Sequence, residues 1–90
     1  MSKEFTFKRD WKGDRVTRLE CWNSSGSPSA VYEAKGFMVY GRAGDMEEFR
    51  KPKNKLQPLI ADLLSGASQE VIQQKYYANS NFQVNIEDRH

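Results

Sequence analysis

The residues of this chain that could take part in acid–base, nucleophilic or metal chemistry are few and scattered. His90 is the only histidine and is the last residue, and Cys21 is the only cysteine. A terminal position is a poor support for a rigid general base, and a cysteine without a nearby histidine is more often a small buried apolar residue. The acidic pairs Glu47–Glu48 and Glu87–Asp88 lack the spacing of a metal site. The sequence therefore predicts no enzyme activity, no catalytic residue, no metal and no cofactor.

Positive charge is concentrated in one short segment, residues 50–55. It holds four cations in six positions, namely Arg50, Lys51, Lys53 and Lys55. Such a segment could contact a phosphate backbone, and the affinity would then fall steeply with salt. Over the whole chain, 14 basic and 12 acidic residues leave a net charge of only +2. This excess is small for a dedicated nucleic-acid binder, so DNA binding is the alternative hypothesis rather than the leading one.

A helical hairpin predicted over residues 56–77 also bears on DNA binding. In residues 60–72, IADLLSGASQEVI, an apolar helix ends at a glycine-containing turn and a serine begins the next helix. This stretch resembles the helix-turn-helix of DNA-binding proteins. The resemblance implies that Gln69, Gln73 and Lys75 face the major groove, where Gln pairs with adenine and Lys meets guanine or phosphate. The alternative for the same residues is an αα-hairpin packed on a sheet.

Aromatic residues make up 12% of the chain, which favours a folded domain and supplies side chains for a protein interface. The candidates for an exposed binding patch are Trp11, Trp22, Tyr32 and Tyr40. Trp and Tyr dominate the energetics of protein interfaces. The leading hypothesis is therefore a non-catalytic protein that binds another protein, such as a small inhibitor or adaptor of phage or mobile-element type. We expect such binding to be insensitive to salt, unlike binding to phosphates.

Self-association and cellular location can also be considered from the sequence. Residues 82–86, FQVNI, alternate apolar and polar side chains and could form a strand whose edge pairs with its own copy, giving a homodimer, or with a partner. The N-terminal MSKEF contains no apolar signal segment, a single cysteine cannot form an internal disulfide, and no apolar stretch could span a bilayer. The expected location is the cytoplasm, without membrane contact.

The pattern of apolar residues changes from strand-like to helix-like near residue 45. Alternation predicts strands at 4–9, 15–22 and 30–40, with a bulge or bend at Gly36, and a possible last strand at 82–86. Helical spacing predicts helices at 46–51, 54–65 and 69–78, with a frayed tail at 87–90. The expected fold is one α+β domain spanning residues 1–90. A small antiparallel meander of three or four strands, within residues 1–44, is followed by two or three helices, within 45–79, packed on one of its faces.

Turn and cap residues mark the ends of these elements. Gly13 is placed to adopt a positive φ in the first turn, and Asp45 with Glu48 resembles a capping box. Pro58 falls in the first turn of its helix, where its missing N–H costs little. Gly66 suits a left-handed helix end, and Ser68 suits the N-cap of the next helix.

The alternation also predicts which side chains share a face. In the second strand, Leu19 and Cys21 point one way, and Arg18, Glu20 and Trp22 point the other way. In the third strand, one face is predicted to carry Tyr32, Ala34, Met38 and Tyr40.

Overall fold

The chain forms an α+β fold built on a five-stranded mixed sheet. The computed structural model describes residues 3–33, 38–41, 56–79 and 81–90. Its strands are β1 (Lys3–Lys12), β2 (Arg15–Trp22), β3 (Pro28–Glu33), β4 (Met38–Gly41) and β5 (Phe82–Arg89). Their order across the sheet is β4-β3-β2-β1-β5. The first four strands form the expected antiparallel meander, and the last strand is present but lies parallel to β1.

The predicted third strand, residues 30–40, is two strands rather than one. Ala30 of β3 pairs with Gly41 of β4, and Val31 pairs with Tyr40, so the chain reverses between Glu33 and Met38. The predicted bend at Gly36 lies in residues 34–37, outside the described part of the chain. A continuous run of strand-forming residues does not reveal such a reversal, because the second half alternates as well as the first.

The second strand matches its predicted range, and the structure explains the break in its pattern at Val16. Trp11 pairs with Val16 whereas Asp10 pairs with Arg18, so Thr17 is an extra residue in β2. The hydroxyl of Thr17 donates a hydrogen bond of 3.2 Å to the carbonyl of Asp10. This bulge returns Val16 to the buried face that Leu19 and Cys21 share.

Two described helices follow, α1 (Leu56–Leu64) and α2 (Gln69–Tyr76). The turn between them is built as predicted: Gly66 has a φ of 96°, and Ser68 caps α2 by accepting a hydrogen bond from the Val71 backbone N–H at 3.3 Å. The predicted helix at 46–51, with its cap at Asp45, lies outside the described residues.

Both helices pack on the same face of the sheet, which we call the core face. The core contains Leu59, Ile60 and Leu63 of α1, Ile72, Tyr76 and Tyr77 of the α2 region, and Phe5, Phe7, Leu19, Cys21, Ala30, Tyr32 and Val84 of the strands. Val71 of α2 lies outside this core and is 49% exposed. The opposite face of the sheet, the outer face, has no described helix against it.

Residues 87–89 belong to β5 and are not the frayed tail that the sequence predicts. Asp88 and Arg89 pair with Arg9 and Asp10 of β1. His90 stacks on Trp11, with ring centroids 5.6 Å apart. The prediction was wrong because it counted only apolar side chains, whereas the end of β5 is held by ion pairs to β1.

Candidate protein-binding face of the sheet

The outer face of the sheet is the best candidate for a binding surface in the described part of the chain. The strand registers align its side chains in rows that cross the sheet. One row contains Tyr40, Val31, Glu20, Lys8 and Glu87. A row on one side of it contains Pro28, Trp22, Thr6 and Asn85, and the row on the other side contains Glu33, Arg18, Asp10 and Arg89. The large apolar members lie on β2, β3 and β4 with charged neighbours beside them, and toward β1 and β5 the face is polar and charged.

The apolar members form what we call the outer-face patch: Trp22, Pro28, Val31, Val39 and Tyr40. They line a depression of about 340 Å³, together with Arg18 and Glu20 at its border. Val39 is 55% exposed and Tyr40 is 43% exposed, and the third large apolar residue exposed to this degree in the described chain is Val71 on α2. Two of the three therefore lie side by side in one depression.

A bulge in β4 places Val39 on the patch. Val31 pairs with Tyr40 and Tyr32 pairs with Met38, so Val39 is an extra residue between two paired positions. In a regular strand Val39 and Tyr40 would point to opposite faces, whereas here both line the same depression. Bulges commonly redirect a side chain at the edge of a sheet.

The indole of Trp22 is held in place before any partner arrives. Its Nε1 donates a hydrogen bond of 3.1 Å to Glu20 Oε1. The Lys8 ammonium lies over the ring, 3.9 Å from its centroid. Such a cation–π contact is worth about 0.5–1 kcal/mol at an exposed site. A side chain fixed in this way loses little conformational entropy on binding.

Charges of both signs border the patch and bond to each other. Arg89 Nη2 is 3.2 Å from Glu20 Oε1, and Arg18 Nε is 3.4 Å from Glu20 Oε2. Arg89 Nε also forms an ion pair of 2.7 Å with Asp10. Burial alone would raise the pKa of Glu20, but the hydrogen bond from Trp22 and the charges of Arg89 and Arg18 outweigh it and lower that pKa. Glu20 therefore stays ionised near neutral pH, and its negative charge is balanced by Arg18 and Arg89.

The four aromatic residues predicted for binding do not form one patch. Trp22 and Tyr40 lie together on the outer-face patch. Tyr32 is not exposed as the prediction requires: it is only 6% exposed and belongs to the core, because it faces the helices beside Leu19. Trp11 lies on the core face at the far end of the sheet, where its ring contacts the turn at Gly66. The alternation pattern does not identify Val31 or Val39 as binding residues. Val39 points outward only because of a bulge that depends on pairing with β3.

The residues predicted to face a DNA groove are engaged inside the domain. The side chain of Gln73 bonds to the backbone of Phe82 and Val84, and the side chain of Gln69 bonds to the backbone of Ile86. Lys75 Nζ forms an ion pair of 2.7 Å with Asp62 of α1. The helices thus form a hairpin packed on the sheet. The basic residues Arg50, Lys51, Lys53 and Lys55 lie outside the described part of the chain.

A buried arginine, which the sequence analysis did not single out, joins the sheet to the helical turn. Arg9 is 3% exposed, and its Nη1 donates to the carbonyls of Leu63 at 3.1 Å and Ala67 at 2.8 Å. Its Nε and Nη2 bond to the two oxygens of Asp88 at 2.7 and 3.2 Å. A cation at the carbonyl end of α1 also interacts favourably with the helix dipole. The signal was present in the sequence, because Arg9 continues the alternation of Phe5 and Phe7.

The Arg9–Asp88 pair makes stability depend on pH in the acidic range. The hydrogen bond from Arg9 is the main cause that lowers the pKa of Asp88, with further help from Trp11. A carboxyl with a lowered pKa contributes its full stabilisation above its unfolded pKa of about 3.9, and loses it as the pH falls through the folded value. We therefore expect Asp88→Asn to be less stable than the wild type near neutral pH and to lose less stability on acidification below about pH 4.

Urea unfolding across this pH range measures the effect. Asp14→Asn, in the exposed turn between β1 and β2, is the matched control. Parallel pH profiles for Asp88→Asn and the wild type would contradict the prediction.

Chemistry at Cys21 is limited by its position. It is fully buried among core residues, and burial raises the pKa of its thiol far above the ordinary value.

Within the described residues, His, Cys, Asp and Glu form no group of three or more that could hold a metal ion. The described helices include none long and apolar enough to cross a membrane.

The comparisons with known proteins give no relative for this chain: no protein-family model, no curated protein and no solved structure matches it. Its function therefore has to be argued from the surface itself.

Proposed function

We propose that this domain is a non-catalytic binding protein that docks another protein on the outer-face patch. The observation that carries the proposal is the clustering of Val39 and Tyr40 in one depression with Trp22, on a sheet face without a described helix. Contiguous exposed apolar surface bordered by polar groups is typical of protein interaction sites. A small inhibitor or adaptor needs no more than such a surface.

The patch has the composition of an interface centre with a polar rim. Tyr40 and Trp22 are the residue types that contribute most binding energy, and Trp22 is already fixed by Glu20 and Lys8. Val31 is 7% exposed and forms the floor of the depression. An apolar side chain from a partner would therefore fill a site whose walls need little rearrangement.

The charges around the patch indicate what kind of partner fits. Arg18 and Arg89 are opposed by Glu20 and Asp10, so this part of the face presents no excess of one sign. A phosphate backbone laid here would meet two carboxylates, and like charges at short range are unfavourable. We therefore propose that the partner is a protein that inserts an apolar side chain into the patch and places polar groups around it. The affinity of this complex should depend little on ionic strength.

The experiment uses two exposed valines on opposite sides of the domain. The variant Val39→Ser/Tyr40→Ala alters the patch, and Val71→Ser, on α2, is the matched control because its exposure of 49% is close to the 55% of Val39. The tagged wild type and both variants are used for capture from lysate of the native host, once with and once without nuclease treatment. Each captured protein is then titrated against them at about 0.1 and about 0.5 M salt.

We expect a partner whose affinity is unchanged by Val71→Ser and by salt, and falls by at least tenfold, about 1.4 kcal/mol, with the patch variant. Equal binding to the patch variant and the wild type would refute the assignment. Recovery of nucleic acid alone, lost at raised salt, would instead support DNA binding through residues 50–55.

A further inference from the structure

Two glutamines of α2 cover the edge of β5 that faces away from β1. Gln73 Nε2 donates a hydrogen bond of 2.9 Å to the carbonyl of Phe82, and Gln73 Oε1 accepts one of 2.8 Å from the Val84 N–H. One turn earlier in the helix, Gln69 Oε1 accepts a bond of 2.8 Å from the Ile86 N–H. Side chains thus take the positions that the backbone of a further strand would occupy.

The bonding pattern of Gln73 is that of a residue in a parallel strand. In a parallel ladder, one residue donates to the carbonyl of one neighbour residue and accepts from the N–H two positions further along. The amide of Gln73 does this across Phe82 and Val84. The donor and acceptor ends of the amide are assigned by their partners, since a carbonyl only accepts and a backbone N–H only donates.

The spacing of the two glutamines also suits a strand. Four residues of helix rise about 6 Å, and two residues of strand rise about 6.6 Å. A Gln-x-x-x-Gln pair on α2 therefore reaches the successive outward N–H groups of Val84 and Ile86 without distorting either element. The helix runs opposite to β5, so the later glutamine meets the earlier strand residues.

We propose that Gln69 and Gln73 act as a side-chain surrogate for a sixth strand, and hold closed an edge that otherwise pairs with the β5 edge of a second copy. An eight-residue strand with an uncovered edge is a template for pairing with another chain. The opposite edge strand, β4, has four residues and a bulge, which makes it a poorer template.

A second copy of this chain is the occupant that best fits an opened β5 edge. Two identical edges can pair antiparallel about a two-fold axis, which makes the contact self-complementary. With Asn85 opposite its own copy, Val84 faces Ile86 and Gln83 faces Glu87. No like charges meet across these pairs, and opposed apolar side chains stabilise such a ladder.

The same substitution, glutamine to glutamate, at position 73 and at position 69 distinguishes the loss of edge protection from a general loss of stability. Gln73→Glu keeps an acceptor for the Val84 N–H but loses the donor to Phe82, and the repulsion between its carboxylate and that carbonyl should push the side chain away and open the edge. Gln69→Glu keeps the only bond described between Gln69 and β5, because that bond uses an acceptor oxygen. Gln74→Ala, exposed on α2, is a further control. The measurements are sedimentation over a range of concentrations and backbone amide hydrogen exchange.

We expect the wild type, Gln69→Glu and Gln74→Ala to keep the Val84 and Ile86 amides protected and to share one mass. In Gln73→Glu at low concentration, the Val84 amide should exchange about tenfold faster, and the mass should double as the concentration rises. Adding Val39→Ser/Tyr40→Ala to Gln73→Glu should leave this association intact, which distinguishes it from binding at the outer-face patch.

The proposal is overturned if Gln73→Glu and Gln69→Glu behave alike, or if the wild type already associates through β5 as strongly as Gln73→Glu. If Gln73→Glu does not fold, the double variant Gln69→Ala/Gln73→Ala replaces it. That variant removes the bonds without adding a charge, and a single mass with unchanged exchange at Val84 would then refute the idea.

Discussion

Replacing Arg9 by methionine is expected to cost about 3 kcal/mol of the free energy of unfolding. The substitution keeps an unbranched side chain of similar length but removes every hydrogen bond of the guanidinium. The carbonyl of Ala67 loses its Arg9 donor, the carbonyl of Leu63 keeps the Gly66 N–H at 3.2 Å but loses Arg9, and Asp88 loses its counter-ion. The carboxylate of Asp88 is 37% exposed and recovers water, so the main cost is the loss of the two bonds to carbonyls, above all the one to Ala67, whose oxygen then meets an apolar side chain.

Urea unfolding provides the measurement for Arg9→Met. At a slope of roughly 1–3 kcal/mol per molar, the loss should lower the midpoint by about 1–3 M. Arg9→Lys should recover only part of the loss, because an ammonium cannot form the two parallel bonds that Asp88 accepts. Lys12→Met, on an exposed side chain of the same strand, should change stability by less than about 0.5 kcal/mol. A loss below about 1 kcal/mol for Arg9→Met would contradict a central role for this residue.

Replacing Phe5 by alanine is expected to cost about 3–5 kcal/mol, which is a large part of the stability of a domain of this size. Phe5 is fully buried, stacks on Phe82 with centroids 4.6 Å apart, and meets Tyr77 edge-on at 6.1 Å. One ring thus joins β1, β5 and the end of α2. Its removal leaves a cavity at the point where the parallel strand is attached.

The comparison variant for Phe5 is Phe5→Leu, which keeps most of the apolar volume and should cost about 1 kcal/mol. Val71→Ala, at an exposed apolar position, should have almost no effect. Thermal unfolding followed by circular dichroism gives the order of the three variants. Equal unfolding midpoints for Phe5→Ala and Phe5→Leu would show that the stability of the domain does not depend on the apolar volume that fills this position.

The sequence predicted well where neighbouring residues decide the structure. The α+β class, the range of β2, the left-handed conformation at Gly66 and the cap at Ser68 are all confirmed. Each depends on side chains within a few positions of one another, through alternation, backbone freedom or a local hydrogen bond. The division of Leu19 and Cys21 from Arg18, Glu20 and Trp22 is confirmed for the same reason.

Predictions that depend on distant pairing were less successful. Alternation along one continuous strand predicts Tyr32 and Tyr40 on the same face, whereas the reversal between Glu33 and Met38 puts them on opposite faces. Of the predicted binding residues, Trp22 and Tyr40 meet on one surface, and Trp11 and Tyr32 do not join them. The position of Val39 depends on a bulge that exists only against β3.

By itself, the sequence determined the local elements of this protein, because alternation, helical spacing and caps act over a few residues. Only the tertiary structure decided what those elements expose. The parallel pairing of β5 with β1 turned Arg9 and Asp88 into a buried link. The packing of α2 beside β5 turned Gln69 and Gln73 from possible DNA contacts into bonds along a sheet edge. The physical reason is that a polar side chain bonds to the donors and acceptors within its reach, and distant parts of the chain supply them here.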